Sequence, residues 1–194
     1  MLFFSITEHE NHSGRTRYNN IDDTLIIRIG KDDVQALTQL YNLTERVLYA
    51  YILSIIQKPA DAAEIVQETY FCVRRSSHLY VPTRKPMVWL LNIARNLTND
   101  YFRIHKRLPL MTGDIESDPL YNRIPEITDR IILTSALGIL RSEERQVLFL
   151  HAAAGLRHRE ISSYLSIPIS TVFTRYNHSV SKLKRHLSDV GIYL

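Results

Sequence analysis

Asp61-Ala62-Ala63-Glu64-Ile65-Val66-Gln67-Glu68-Thr69-Tyr70-Phe71-Cys72-Val73 sets Ala62, Ile65, Val66, Thr69, Tyr70 and Val73 three and four positions apart and leaves Asp61, Glu64, Gln67 and Glu68 between them. A period of 3.6 residues gathers the first set on one face and the second on the other. The stretch therefore predicts a helix from near Asp61 to about Ser77, apolar inward and acidic outward. The same period extends both ways. Upstream, Asp32-Asp33 open a helix in which Leu37, Leu40, Tyr41, Val47, Leu48, Tyr51, Ile52 and Ile55 follow one face to Gln57, and Lys58-Pro59 end it. Downstream, the turn-rich Ser76-Ser77-His78 and the stretch from Pro82 to Pro86 precede a helix from about Met87 to His105. It is expected to bury Val88, Leu91, Ile93 or Ala94, Leu97 and Tyr101. With 6 glycines in 194 residues and little β-branched alternation, the chain as a whole reads as all-α.

Residues 108–128 hold Pro109, Gly113, Pro119 and Pro125, with Asp114, Glu116, Asp118 and Glu126 against Arg123, the composition of an extended acidic linker. Helical patterning resumes from Ile127 to Leu140 and from Ser142 to about Ala154. Ser142 is the expected N-cap, Glu143 and Glu144 fill the first turn, and Gly155 lies just past the end. Arg157 to Leu165 is short, Ser166-Ile167-Pro168 is a turn, and Ser170 to about Leu187 is long, with Val172, Tyr176, Val180, Leu183 and Leu187 on one face. Short helix, tight turn and longer helix is the layout of a helix-turn-helix. Two small helical domains follow: an arm at residues 1–31 without sustained period, a domain at 32–107, the linker at 108–128 and a second domain at 129–194.

A chain of 194 residues, 45% apolar and 23% charged, has room for one medium or two small domains and is too short for a barrel enzyme. Its single cysteine, Cys72, makes no internal disulfide. The apolar start from Met1 to Ile6 is too short for a signal segment, and the run from Val47 to Leu53 falls short of the roughly 18 residues a span needs. A soluble cytoplasmic protein without membrane insertion is expected. Lys and Arg outnumber Asp and Glu by 24 to 20, a formal charge of +4, which favours a polyanionic partner once the cations are clustered. His151, His158 and Glu160 fall on separate predicted helices with no cysteine or second carboxylate nearby, so they suit surface or capping roles better than a metal site. With no glycine-rich phosphate loop either, neither catalysis nor a cofactor or metal is expected.

A recognition helix offers its first side chains to base edges and its later turns to phosphates. The candidates are Arg157, Ser170, Thr171, Phe173, Thr174, Arg175, Asn177 and His178 for the groove and its rim, and Lys182, Lys184 and Arg185 for the backbone. Residues 182–186 read equally well as a solvated last turn that complements the helix dipole.

Asp61-Ala62-Ala63-Glu64-Ile65-Val66-Gln67-Glu68-Thr69-Tyr70, followed by Trp89-Leu90-Leu91-Asn92-Ile93-Ala94-Arg95-Asn96-Leu97-Thr98-Asn99-Asp100-Tyr101, resembles the first conserved domain of bacterial sigma factors of the extracytoplasmic-function (ECF) group of the sigma-70 family. Ala136-Leu137-Gly138-Ile139-Leu140, Glu144-Arg145-Gln146-Val147-Leu148, Gly155-Leu156-Arg157-His158-Arg159-Glu160-Ile161 and Ser170-Thr171-Val172-Phe173-Thr174-Arg175 resemble the second domain, in the same order. The likeness covers about residues 32–190. It implies a dissociable RNA polymerase subunit that directs the core enzyme to promoters and opens them.

The resemblance puts Asp61, Glu64, Gln67 and Glu68 on the surface that docks on the clamp helices of the largest catalytic subunit, where a row of carboxylates suits a basic partner. It puts Arg84, Lys85, Trp89, Asn92, Arg95, Asn96, Asn99, Asp100, Arg103, Lys106 and Arg107 on or near the helix that captures the melted minus-ten strand. Extruded bases there need pockets and their phosphates need cations. Asn96, Asn99, Arg103, Lys106 and Arg107 rank before Trp89, which with Ile93 and Leu97 also suits a core. The helix-turn-helix is assigned to the minus-thirty-five element. The linker matches the segment that threads the active-site cleft and RNA exit channel, either as an acidic mimic displaced by growing RNA or as a plain tether.

Three departures from the pattern have physical content. Ser166 stands where the family usually has glycine, and a left-handed residue other than glycine costs of order 1 kcal/mol. Pro168 and Ile169 stand where a serine N-cap and a polar residue are usual. Phe173, His178 and Val180 occupy positions often basic, so fewer phosphates are neutralised and DNA binding weakens. Two explanations stay open: an unusual minus-thirty-five sequence read partly through thymine methyls, or targeting shared with another DNA-bound protein that tethers the polymerase. The arm at 1–31 is a place for such a recruiting partner, and an anti-sigma factor is a further candidate. The rivals are a free-standing helix-turn-helix regulator, which leaves the 61–101 signature unexplained, and an anti-sigma-like scaffold, supported by the thinned basic helix alone.

Overall fold

The computed structural model of the chain describes residues 21–105, 119–124, 127–189 and 191, and the regular elements among them are all helical. They fall into two compact units, drawn from Arg17–Gly113 and Asp114–Leu194. The first holds α1 (Asp23–Ile29), α2 (Val34–Ile56), α3 (Pro59–Ser76), a single 3-10 turn (Ser77–Leu79) and α4 (Pro86–His105). The second holds α5 (Pro119–Asn122), α6 (Ile127–Ile139), α7 (Ser142–Ala152), α8 (His158–Leu165) and α9 (Ile169–Asp189). Among the described residues no helix is long and apolar enough to cross a membrane.

In the first unit α2 is the centre. Asp33 caps it, accepting from the Ala36 backbone N–H at 3.0 Å. That bond, with the Arg28 guanidinium at 2.7 Å, holds the Asp33 carboxyl below its ordinary value. Every residue from Val47 through Leu53 is buried, because α1, α3 and α4 pack around the helix. The helix stops where Gln57 turns left-handed at φ 57°, its N–H returning to the Leu53 carbonyl at 2.9 Å. Pro59 then starts α3, a position where its missing N–H costs nothing.

Residues 21–31 are not part of a loose arm. Leu25, Ile26 and Ile29 form the buried face of α1, which packs on α2 and on the turn after α3. Seven residues are too few for a helix that is stable alone, so only this packing holds it. Gly30 follows it because a Cβ there would sit 2.9 Å from the Ser77 carbonyl oxygen. The inner face of α4 is also turned from the expected one. Met87, Leu90, Leu91, Ala94 and Thr98 are buried, while Val88, Ile93, Leu97 and Tyr101 are only partly covered. Thr98 enters the core because its hydroxyl donates to the Ala94 carbonyl at 2.8 Å.

In the second unit α9 packs across α6, α7 and α8, with Val172, Leu183 and Leu187 fully buried. Arg145 is buried too, and its guanidinium donates to the Leu137 and Leu140 carbonyls at 3.2 and 2.7 Å, closing the end of α6. The extended linker expected across 108–128 is corrected at its end: residues 119–124 are folded. Tyr121 and Ile124 are buried, and the Tyr121 hydroxyl meets Thr134 Oγ1 at 3.0 Å. Ser142 is the first helical residue and not the cap; Arg141 is the cap, its backbone N–H donating to Glu144 Oε2 at 3.0 Å.

Candidate nucleic-acid interfaces

Of the four outward residues expected on α3, Glu64, Gln67 and Glu68 are exposed together. Asp61 is half-buried. It accepts a hydrogen bond from the Tyr101 hydroxyl of α4 and lies 3.9 Å from Lys58 Nζ. Burial, and then that carboxylate, push the Tyr101 hydroxyl up to about 12, so it stays a donor. Phe71, one turn beyond Gln67 and Glu68, is 66% exposed and lengthens the face. Apolar periodicity hides such a residue, since it scores every phenylalanine as core.

On α4 the candidates align. Trp89, Asn92, Asn96, Asn99 and Arg103 are spaced three, four, three and four apart, which puts them on one side of the axis over roughly 21 Å. Asn92, Asn96, Asn99 and Arg103 are exposed. Trp89 is half-buried and meets the Tyr80 ring edge-on at 5.0 Å. Asp100 flanks the row and pairs with Arg103 at 3.2 Å, while Arg95 is half-buried to the side. Arg84 and Lys85 are exposed in the loop that enters the helix, with Arg84 left-handed at φ 57°. Lys106 and Arg107 lie outside the described residues. A row of amides ending in a cation has donors and acceptors for unpaired bases and a charge for phosphate.

The helix-turn-helix comprises α8, the turn at 166–168 and α9. Its turn is left-handed at Ser166, φ 56° and ψ 42°, and is closed by Ser162, whose hydroxyl donates to the Ile167 carbonyl at 2.7 Å. Glu160 reaches back to the Arg157 N–H at 2.9 Å and so caps α8. Ser170, Phe173, Thr174, Asn177 and His178 are exposed along the start of α9, with Thr171 and Arg175 half-buried beside them, and Arg157 is exposed at the start of α8. Phe173 is 46% exposed and rests on the His158 ring at 4.5 Å. His158 stacks on His151 at 4.4 Å, and Tyr176 meets both edge-on. Burial lowers the His151 pKa against the opposing pull of the Leu156 carbonyl, which lies 2.7 Å from Nδ1. Among the described residues no group of histidines, cysteines and carboxylates is placed to hold a metal.

Lys182 is half-buried and turned to α7. Its ammonium bonds both oxygens of Glu144 on α7, at 2.7 and 2.8 Å. Burial would raise the Glu144 carboxyl, but Lys182 and the Arg141 N–H outweigh it and hold the group below its ordinary value. The helix also returns to α7 through Ser179, whose hydroxyl lies 3.1 Å from the Glu144 carbonyl. Of the other cations expected on α9, Arg185 is exposed and Arg175 and Lys184 are half-buried.

Residues 40–108 match the family described as Sigma-70 region 2, and residues 130–183 match Sigma-70, region 4. The ECF RNA polymerase sigma factor SigK of Mycobacterium sp. (strain JLS) is 25% identical over 173 residues, covering 85% of this chain and 90% of that protein. SigL, an ECF RNA polymerase sigma factor of Mycobacterium tuberculosis, is 28% identical over 158 residues, covering 79% of this chain and 89% of its own. Among solved structures, the sigma factor RpoE of Bartonella quintana, in complex with the anti-sigma factor NepR, shares the fold with a TM-score of 0.64 at 19% identity. That match covers 80% of this chain and 98% of RpoE.

Proposed function

The chain belongs to the sigma-70 family of RNA polymerase sigma factors, in its ECF group, and from that premise we propose how its surfaces divide the work of promoter recognition. The first unit docks on core polymerase through Glu64, Gln67 and Glu68 of α3 and captures the melted minus-ten strand along α4. The second unit reads the minus-thirty-five element with the start of α9. The row from Trp89 to Arg103 carries this reading: one face of one helix offers an aromatic ring, three asparagine amides and a terminal cation, with Lys85 in the loop before it, a surface fitted to unpaired bases and of little use to a regulator that binds closed duplex. Asp61 acts in this scheme by holding α3 to α4 through Tyr101. The protein is an initiation factor with no catalysis of its own, and it works where its polymerase is, in the cytoplasm.

A second element of the reading is that another DNA-bound protein assists promoter targeting. It is favoured by Lys182, whose charge is spent on Glu144, which thins the cations of the reading helix further. An anti-sigma partner is a parallel proposal, drawn from the RpoE neighbour that was solved with NepR.

The test is capture of purified bacterial core RNA polymerase by the wild-type chain and by a Glu64→Ala, Gln67→Ala, Glu68→Ala variant, followed by transcription from linear and pre-melted promoter templates. Stoichiometric capture that the variant loses is expected. Equal capture by both forms refutes docking through α3. Strong promoter-specific transcription without any other DNA-binding protein refutes assisted targeting.

A further inference from the structure

The carboxylate of Asp23, in the first turn of α1, holds two residues of one loop. It accepts from the Tyr80 hydroxyl with one oxygen and from the Arg84 backbone N–H at 2.9 Å with the other. That loop leads directly into α4 and carries Arg84 and Lys85. Val81 and Lys85 each precede a proline and are biased to extended backbone, so Thr83 and Arg84 have to make the turn. Arg84 makes it in the left-handed region, at φ 57°, where residues other than glycine rarely sit and where such strain collects at functional sites. Tyr80 is buried, and its ring packs edge-on against Trp89, the first aromatic of the α4 row. Burial and the adjoining Asp23 push the Tyr80 hydroxyl up to about 12, so it remains a donor at any working pH. The platform is firm, since α1 is seated by Leu25, Ile26 and Ile29 and by the close approach of Gly30 to Ser77.

We propose that Asp23 is a positioning residue for strand capture: it clamps the 80–85 loop so that Arg84 and Lys85 project beside the amide row of α4. Asp23 lies outside residues 40–108, which match Sigma-70 region 2. The inference rests on the reading that Arg84 meets the melted strand, and the experiment separates the two.

The full chain, bound to core polymerase, is titrated with a single-stranded DNA 12-mer selected by the wild-type assembly from a random pool. The variants are Asp23→Ala, Asp23→Asn, Arg84→Ala and the Asp23→Ala, Arg84→Ala double change; affinity for core polymerase is measured in parallel. Asn keeps the volume of Asp23 and offers a single acceptor oxygen for the two donors. Both Asp23 variants should bind the 12-mer about fivefold more weakly with core affinity unchanged, and the double variant should lose less than the product of the two single losses, since the Arg84 share of the clamp is then already gone and only the Lys85 share is left to lose. Wild-type 12-mer affinity in both Asp23 variants, beside a loss in Arg84→Ala, overturns the clamp and leaves strand capture standing. No loss in Arg84→Ala overturns both. Losses that multiply in full in the double variant, or that come with an equal loss of core affinity in both Asp23 variants, also overturn the clamp, since Asp23 then acts apart from Arg84 or on the fold as a whole.

Discussion

Lys182→Met keeps most of the side-chain volume and deletes the ammonium that bonds both Glu144 oxygens, at 2.7 and 2.8 Å. Removing one partner of a fully buried pair costs about 3–5 kcal/mol. Here the Glu144 side chain is 10% exposed and that of Lys182 35%, so water screens the pair from one side, and Glu144 keeps the Arg141 N–H at 3.0 Å. The expected loss is therefore about 1–2 kcal/mol. Because the bond ties α9 to α7, the loss should appear as opening of α9. Amide hydrogen exchange across Val172–Leu183 in the full chain should speed up by roughly 5- to 30-fold. Glu144→Gln should do the same, and the double variant should fall short of the sum by about 1 kcal/mol, the coupling of two groups in contact. If Lys182 instead holds a phosphate, the variant would leave exchange unchanged and flatten the salt dependence of promoter binding by about one unit of slope. That result would refute the brace and return Lys182 to the DNA surface.

Two further expectations concern stability. Gly30→Ala should destabilise by about 1–3 kcal/mol, because its Cβ would press on the Ser77 carbonyl at 2.9 Å, whereas Gly138→Ala, inside α6 with nothing within 4 Å, should stabilise by about 0.5–1 kcal/mol; urea unfolding of both decides, and equal effects of the same sign would sink the argument. Burial lowers the His151 pKa below 6.5 in the fold, so the unfolded chain takes up the proton first. Stability from this group is complete above 6.5 and is lost as pH falls below it towards the folded value. Unfolding midpoints at pH 7.5 and 6.0 should differ more in the wild type than in His151→Gln, and identical differences would remove His151 as the cause.

The all-helical fold, the helix-turn-helix and both halves of the family signature were readable along the chain, because a helix writes its buried face into the order of its own residues. Asp33 as a cap, the stop at Gln57 and the left-handed turn at Ser166 belong to the same class, since each is settled within four or five neighbours. What the order of residues left undecided has a common cause. A seven-residue α1 and a four-residue α5 are too short to hold themselves, so whether Leu25, Ile26, Ile29 and Tyr121 are buried depends on what packs on them. Asp61 and Lys182 point away from the core on a helical wheel, yet each is bound by a residue far along the chain, Tyr101 and Glu144. Helical periodicity tells which face of an element is apolar, and the partners of its polar side chains are chosen by the neighbouring elements. Asp23 joining Tyr80 and Arg84, some sixty residues away, is the clearest instance: nothing local pairs them, and only the packing of α1 beside the loop before α4 brings one carboxylate to both.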